Sequence, residues 1–219
     1  TMLNNRKEHR RKRYEALAST SKVFSSPRRL EIIDSLIQRP YSVEGLARSV
    51  GQSVATTSQH LQVLRRAHAV RTVRDGTTIT YYLLDDVRPI FVALRTFAEK
   101  ESPELKILKL EAEAGCPVLT FQKITEMLEE DQAVLLDLRS KDEFESAHMK
   151  GAYSLPFLEI PERMEELPND KIIIVACRGP YCITSIECVD LLKEKGFQAY
   201  RYDGGIGEWE YHGGQILSN

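Results

Sequence analysis

SVEGLARSVGQSVATTSQHLQVLRRAHAVRTVRDGTTITYYL, residues 42–83, decides the fold of the first half of the chain. Ser42 is an N-cap, with Gly45 three residues on rather than the Glu of a capping box. It opens a short helix carrying Val43, Leu46, Ala47 and Val50, which ends at Gly51. Ser53 opens a second helix, with Leu61 and Leu64 apolar. Two short helices joined by a tight Gly-containing turn make a helix-turn-helix, whose second helix is the reader. Asp75-Gly76 then stands between the β-branched runs 70–74 and 77–83, the strongest short signal for a β-hairpin. A ribbon tipped by Arg71 and Arg74 suits a minor groove or a phosphate backbone, so it reads as a wing.

Working outward, an Arg/Lys-rich opening (Arg6, Lys7, Arg10, Arg11, Lys12, Arg13) precedes a helix expected over 14–24. Ser26-Pro27 starts another, with Leu30, Ile33, Leu36 and Ile37 on one face. A helix over about 87–100, with Ile90, Phe91, Leu94 and Phe97 apolar, closes this α+β winged helix-turn-helix. The residues expected to face double-stranded DNA are Ser53, Thr56, Thr57, Ser58, Gln59 and His60 on the reader helix, and Arg71 and Arg74 on the wing. Small hydroxyl and amide side chains reach phosphates and base edges without bulk. The alternative for each reader residue is ordinary helix surface. Over about 14–100 the sequence resembles the ArsR-type family of winged-helix transcription regulators, through its S-x-x-T-x-S-x-H-L pattern and Asp-Gly wing. That resemblance implies a homodimer built on the first and last helices, binding a palindromic operator as a repressor. Metal-sensing members of that family carry Cys pairs or Asp/His/Glu sets. Here the first 100 residues have no Cys, and His9, His60 and His68 are scattered, so no metal site is expected.

The net charge of −2 hides an asymmetry. Residues 1–100 hold 18 Lys and Arg against 9 Asp and Glu, whereas 101–219 hold 12 against 23. A basic half and an acidic half suggest two domains with different partners, the basic one suited to a polyanion. Apolar content of 42% argues against disorder, and the longest apolar runs, such as 172–177, are far short of a membrane span. The polar, basic opening does not read as a signal peptide. Four Cys are too few for a disulfide framework, so a reducing, cytoplasmic setting is expected. Pro103 and the run Gly115-Cys116-Pro117 break the chain on either side of a short, charged linker helix expected over 104–114, which places a winged-helix domain at 1–100, a linker at 101–116 and a second domain at 117–219.

From Val118 onward strands and helices alternate: strands at 133–138, 172–176 and 197–202, helices at 141–146 and 183–195. That order predicts an α/β domain with a parallel sheet, whose active site lies outside the carboxyl ends of the strands. Cys177 stands at such an end. It opens the loop Cys177-Arg178-Gly179-Pro180-Tyr181-Cys182, which feeds a helix from about Ile183. Amides around such a loop and the helix dipole would stabilise a thiolate or persulfide, with Arg178, Gly179, Tyr181, Cys182 and Ile183 as the cradle. A nucleophilic Cys177 is therefore the chemical reading; a buried inert thiol at a strand end is the alternative. Pro180 has no N–H, which costs the cradle one donor. Cys182, five residues on, is close enough to bridge Cys177 and act as a resolving thiol; otherwise it merely fills the helix start. The spacings of Cys177, Cys182 and Cys188 make no zinc pattern.

"LLDLRSKDEFESAHMKGAYSLP", "IIIVACRGPYC" and "GFQAYRYDGGIGEW" resemble the rhodanese (sulfurtransferase) family over about 117–217. The resemblance implies that Cys177 takes sulfane sulfur from thiosulfate or a polysulfide, becomes a persulfide, and passes the sulfur to a thiol acceptor, without a cofactor. Asp137, Arg139, His148, Gly151, Pro156 and Trp209 match positions read as scaffold. A cysteine phosphatase would need Arg six residues after the nucleophile; Ile183 stands there, and the loop is one residue short. The leading expectation is a DNA-binding regulator that senses reactive sulfur through Cys177. The alternatives are a sulfurtransferase whose winged helix only dimerises or targets it, and a repressor whose second domain merely docks a partner.

Overall fold

The structure, a computed structural model, describes residues 2–218. It divides into two compact units between Phe91 and Val92.

In the first unit, α1 (Met2–Ser21) runs into a single 3-10 turn at Lys22–Phe24, a longer helix than the expected 14–24. Pro27 sits in the first turn of α2 (Pro27–Gln38), where its missing N–H costs nothing. Ile32, Ile33, Leu36 and Ile37 form its buried face. They pack with Leu46 and Ala47 of α3 (Val43–Ser49) and Leu61 and Leu64 of α4 (Val54–Arg66). Both expected caps form: Ser42 Oγ accepts from the Gly45 amide and Ser53 Oγ from the Thr56 amide, each worth about 1 kcal/mol. Gly51, at φ 61°, makes the turn between these helices.

The wing is a three-stranded antiparallel sheet. β2 (Val70–Asp75) pairs β3 (Thr78–Leu83) from Asp75 opposite Thr78 to Val70 opposite Leu83, and Gly76 takes a left-handed φ of 57° in the turn. On its other edge β3 pairs the two-residue β1 (Tyr41–Ser42), which sequence reading did not anticipate. The division between units falls inside α5 (Val87–Glu101), upstream of the break expected at Pro103.

In the second unit, the segment expected as a linker forms α6 (Pro103–Ala112), capped by Ser102 on the Leu105 amide. A five-stranded parallel sheet follows, in the order β4 (Val118–Leu119), β9 (Ala199–Tyr202), β8 (Ile172–Ala176), β5 (Ala133–Asp137), β7 (Ala152–Ser154). Its core is built from Leu136, Leu138, Leu155, Ile160, Ile173 and Val175 together with Cys188, Val189 and Leu192 of α10 (Thr184–Glu194). Helices α7 (Phe121–Glu129), α8 (Lys141–Ser146), α9 (Ile160–Arg163) and α11 (Ile206–Tyr211) connect the strands. A small antiparallel ribbon joins β6 (His148–Met149) to β10 (Ile216–Leu217).

Candidate functional site

The reader helix exposes Ser53, Thr56 and Gln59, with Ser58 and His60 half-buried. Thr57 corrects the expectation. It is fully buried, with its hydroxyl donating to the Ser53 carbonyl at 2.9 Å. The cause is helical periodicity: Thr57, Leu61 and Leu64 share one face, and that face is the core. Ser53 Oγ also lies 2.9 Å from Thr56 Oγ1 while capping the helix, so these two hydroxyls are partly engaged within the helix start. Arg65 and Arg66 are exposed at the last turn. On the wing, Arg71 is exposed with its guanidinium 4.2 Å from the Tyr82 ring centroid, and Arg74 Nε donates to the Gly76 carbonyl at 3.1 Å. Stacking and hydrogen bonding hold both cations out along the ribbon.

In the second unit, Cys177 directly follows β8 and is only 6% exposed. Its sulfur is bonded to that of Cys182 as a disulfide, with the Cα atoms 6.4 Å apart. Cys116 and Cys188 are free and buried; burial pushes the Cys188 thiol up to about 12 and raises that of Cys116. The loop is a turn closed by its own backbone: the Cys182 amide donates to the Gly179 carbonyl at 3.1 Å, and Ser185 Oγ donates to the Cys182 carbonyl at 2.8 Å. The Cys182 amide, one of the donors expected of the cradle, is thus engaged in this disulfide form, beside the donor that Pro180 lacks. Tyr181 and Ile183 are exposed.

Arg178 turns to Glu143, donating from Nε at 2.7 Å and from its terminal nitrogen at 3.1 Å. Glu143 is itself buried in a capping box with Ser140. Burial pushes the Glu143 carboxyl up, but Arg178 and the Ser140 hydroxyl and amide outweigh it and leave the group below its ordinary value.

Arg201, Arg95, Glu208 and Gly205, none of which sequence reading assigned to the site, brace this loop. Arg201, fully buried on β9, donates to the Pro180 carbonyl at 2.5 Å and to Ser185 Oγ at 3.0 Å, and pairs with Glu113 at 2.8 Å and Asp203 at 3.1 Å. Arg95, 7% exposed on α5, is ion-paired with Glu208 and lies 5.5 Å from the Tyr181 ring centroid. Glu208 also accepts from the Gly205 amide at 2.9 Å. Gly205 presses against the loop: a methyl built there would meet the Arg178 carbonyl carbon at 2.6 Å. Only glycine permits that approach.

Among the scaffold residues, Asp137 and Arg139 satisfy each other, whereas the Trp209 indole N–H is buried without a hydrogen-bond partner among the described residues. Asp137 and Arg139 form a buried bidentate pair, and Arg139 also reaches the Ala147 carbonyl at 2.7 Å. His148 stacks on Phe144 with ring centroids 4.0 Å apart, and Trp209 meets Phe121 edge-on at 4.9 Å. Among the described residues, no group of three or more His, Cys, Asp or Glu is placed to hold a metal ion, and no helix is long and apolar enough to cross a membrane.

Comparison with known proteins agrees with both halves. Residues 26–71 match the family described as bacterial regulatory protein, arsR family, and residues 120–212 match the rhodanese-like domain. The HTH-type transcriptional regulator Rv0324 of Mycobacterium tuberculosis is 29% identical over 202 residues, covering 91% of this chain and 89% of that protein. The thiosulfate sulfurtransferase GlpE of Vibrio cholerae is 34% identical over 84 residues, 38% of this chain and 77% of that enzyme. Among solved structures, the homodimeric winged helix-turn-helix DNA-binding domain Mb0332 of Mycobacterium bovis is 29% identical, covering 42% of this chain and 85% of that chain, with a TM-score of 0.39. The chain joins a helix-turn-helix domain of the bacterial arsR regulatory family, at 26–71, to a C-terminal rhodanese-like domain, at 120–212.

Proposed function

We propose that this regulator binds an operator as a homodimer and that uptake of sulfane sulfur at Cys177 changes its grip on DNA. The observation that carries the reading is the Cys177–Cys182 pair, two sulfurs in bonding contact on a loop between a strand end and a helix N-terminus. Reduced Cys177 attacks the sulfane sulfur of thiosulfate or a polysulfide; sulfite or a shortened polysulfide leaves, and Cys177 holds a persulfide. The Cys182 thiolate then attacks Cys177 Sγ, the persulfide S–S bond breaks, hydrosulfide leaves, and the disulfide remains. The two cysteines lose two electrons and the sulfane sulfur gains them. Cys182 is thus the resolving thiol.

The dimer is supported by an apolar stripe: Ile90, Leu94 and Phe97 repeat at helical spacing on α5 and are 51%, 39% and 64% exposed. On α1, Tyr14 and Leu17 are exposed as well. The DNA-facing set after correction is Ser53, Thr56, Ser58, Gln59, His60, Arg71 and Arg74. A two-fold dimer sets two reader helices one helical turn apart on a palindromic site, so a small change in dimer geometry alters affinity.

The experiment is DNA affinity for the promoter region, with and without polysulfide, in wild type and Cys177→Ser. A donor-dependent change of about fivefold or more, absent in the variant, is expected. Tight binding that ignores the donor contradicts the sensing reading. A second reading, sulfurtransferase catalysis through a Cys177 persulfide, is favoured by the position of Cys177 beyond β8 and by the similarity to GlpE. Turnover of thiosulfate with cyanide, lost in Cys177→Ser, tests it.

A further inference from the structure

We infer that a cavity beside Cys182 binds a small, uncharged thiol with an apolar body, which reopens the Cys177–Cys182 disulfide by attacking Cys182. This rests on the redox reading above and names the reductant that resets the pair.

The cavity has a volume of about 350 Å³, within the range of small-molecule sites. Cys182, Ile183 and Ile186, from the loop and α10, line it together with Leu105, Leu108 and Ala112 of α6. The α6 lining lies outside the rhodanese-like segment 120–212, so it belongs to what this chain adds to that domain. Such a surface favours an apolar body over a polar one.

Charge around the cavity selects further. Glu99, Lys109 and Glu113 line it. Lys109 is ion-paired with Asp203 and stands 3.8 Å from both Glu99 and Glu113, while Arg201 pairs with Glu113 and Asp203. Three carboxylates share two cations, which leaves no surplus positive charge for an anionic thiol.

Access selects the sulfur. Cys177 is 6% exposed, whereas Cys182 lines the cavity, so a thiol that enters and ionises there meets Cys182 Sγ first. Its attack forms a mixed disulfide on Cys182 and expels Cys177 as the thiolate. A second thiol attacks the mixed disulfide, the small-molecule disulfide leaves, and Cys182 returns to the thiolate. Two thiols give up two electrons to the bridge, and their protons pass to the two cysteines.

The test uses the full-length oxidised chain with benzyl mercaptan, 2-mercaptoethanol and glutathione as probes, each rate expressed per thiolate. Acid-quenched adducts are mapped by mass spectrometry. Benzyl mercaptan should open the bridge at least about tenfold faster than 2-mercaptoethanol, the gain expected from burying a few carbons, with glutathione slowest. The trapped adduct should lie on Cys182. Leu108→Glu, at a half-exposed helix position that tolerates charge, should remove the benzyl advantage, bringing the ratio of the benzyl mercaptan rate to the 2-mercaptoethanol rate down to about one. Equal rates across the probes, an adduct on Cys177, or an indifferent Leu108→Glu overturns the proposal. These rates involve neither DNA nor sulfane sulfur. Uniform thiol rates beside a polysulfide-sensitive DNA affinity overturn the cavity alone, and selective rates beside an insensitive affinity overturn the sensing alone. A chain that forms no 177–182 bridge under polysulfide overturns both.

Discussion

Gly205→Ala should cripple sulfur uptake although Gly205 is far from Cys177 in sequence. The new methyl would meet the Arg178 carbonyl carbon at 2.6 Å and the Gly179 nitrogen at 3.1 Å, both backbone atoms immediately after Cys177. Gly205 cannot retreat freely, because its amide is held by Glu208, which is ion-paired with Arg95. The loop must therefore move: bringing that carbon from 2.6 Å to an ordinary 3.4 Å takes about 0.8 Å, and the Arg178 carbonyl oxygen, which stands closer still to the methyl, demands more. Misplacing a reacting group by that much costs on the order of 100-fold in rate, and overpacking a tight contact costs about 1–3 kcal/mol of stability. Gly179→Ala is the control within the loop itself: its methyl would meet the Arg95 guanidinium at 3.5 Å, ordinary contact. The assay is quenched-flow mass spectrometry of persulfide formation on reduced protein mixed with polysulfide, beside urea denaturation. Gly205→Ala reacting at the wild-type rate, or Gly179→Ala proving the slower of the two, refutes the reasoning.

Thr57→Val should leave operator affinity unchanged while costing about 1 kcal/mol for the lost bond to Ser53, whereas Gln59→Ala should weaken binding; gel-shift titration of both decides it. Replacing Arg71 and Arg74 together by Ala should lower the slope of log affinity against log salt by about 2, near 0.9 per phosphate contact, with little change in sequence preference; an unaltered slope rules out the wing as a backbone contact. Iodoacetamide at pH 9 should modify Cys177 and Cys182 of the reduced protein and spare Cys188, whose thiol burial pushes up to about 12. In the unfolded chain an ordinary thiol ionises near about 8.5, so the stability from keeping Cys188 protonated is complete below that value and is lost as pH rises towards 12. The urea midpoint should thus fall between pH 8 and 10.5 by less in Cys188→Ala than in wild type.

What was legible in the sequence was what local chemistry determines. Ser42 and Ser53 announced their helices because a hydroxyl at an N-cap has one use, and Asp75-Gly76 announced the wing because a two-residue hairpin turn needs positive φ. Cys177 was legible because an apolar run ends at it and a turn follows. α7 went unread although its signal was present: Thr120 caps it on the Lys123 amide, and Ile124 and Met127 sit at helical spacing and are buried. Thr57 was misassigned because residue type outweighed its four-residue spacing to Leu61. The rest was not local. Arg201 looks like any charged strand residue, and its partners Glu113, Pro180 and Ser185 come from separate segments. Arg178 reads in the sequence as part of the cradle; nothing nearby says that Glu143 takes its guanidinium.

The central claim is that bonding between Cys177 and Cys182 controls DNA binding, and one titration tests it most directly. Reduced protein bound to promoter DNA is treated with increasing polysulfide, and every sample is split: half is quenched to measure the fraction bridged between 177 and 182, half is read for the fraction of DNA bound. The account predicts that the two curves superimpose, and that Cys182→Ser, which forms persulfide but no bridge, breaks the response. Complete bridging with DNA occupancy unchanged would contradict it.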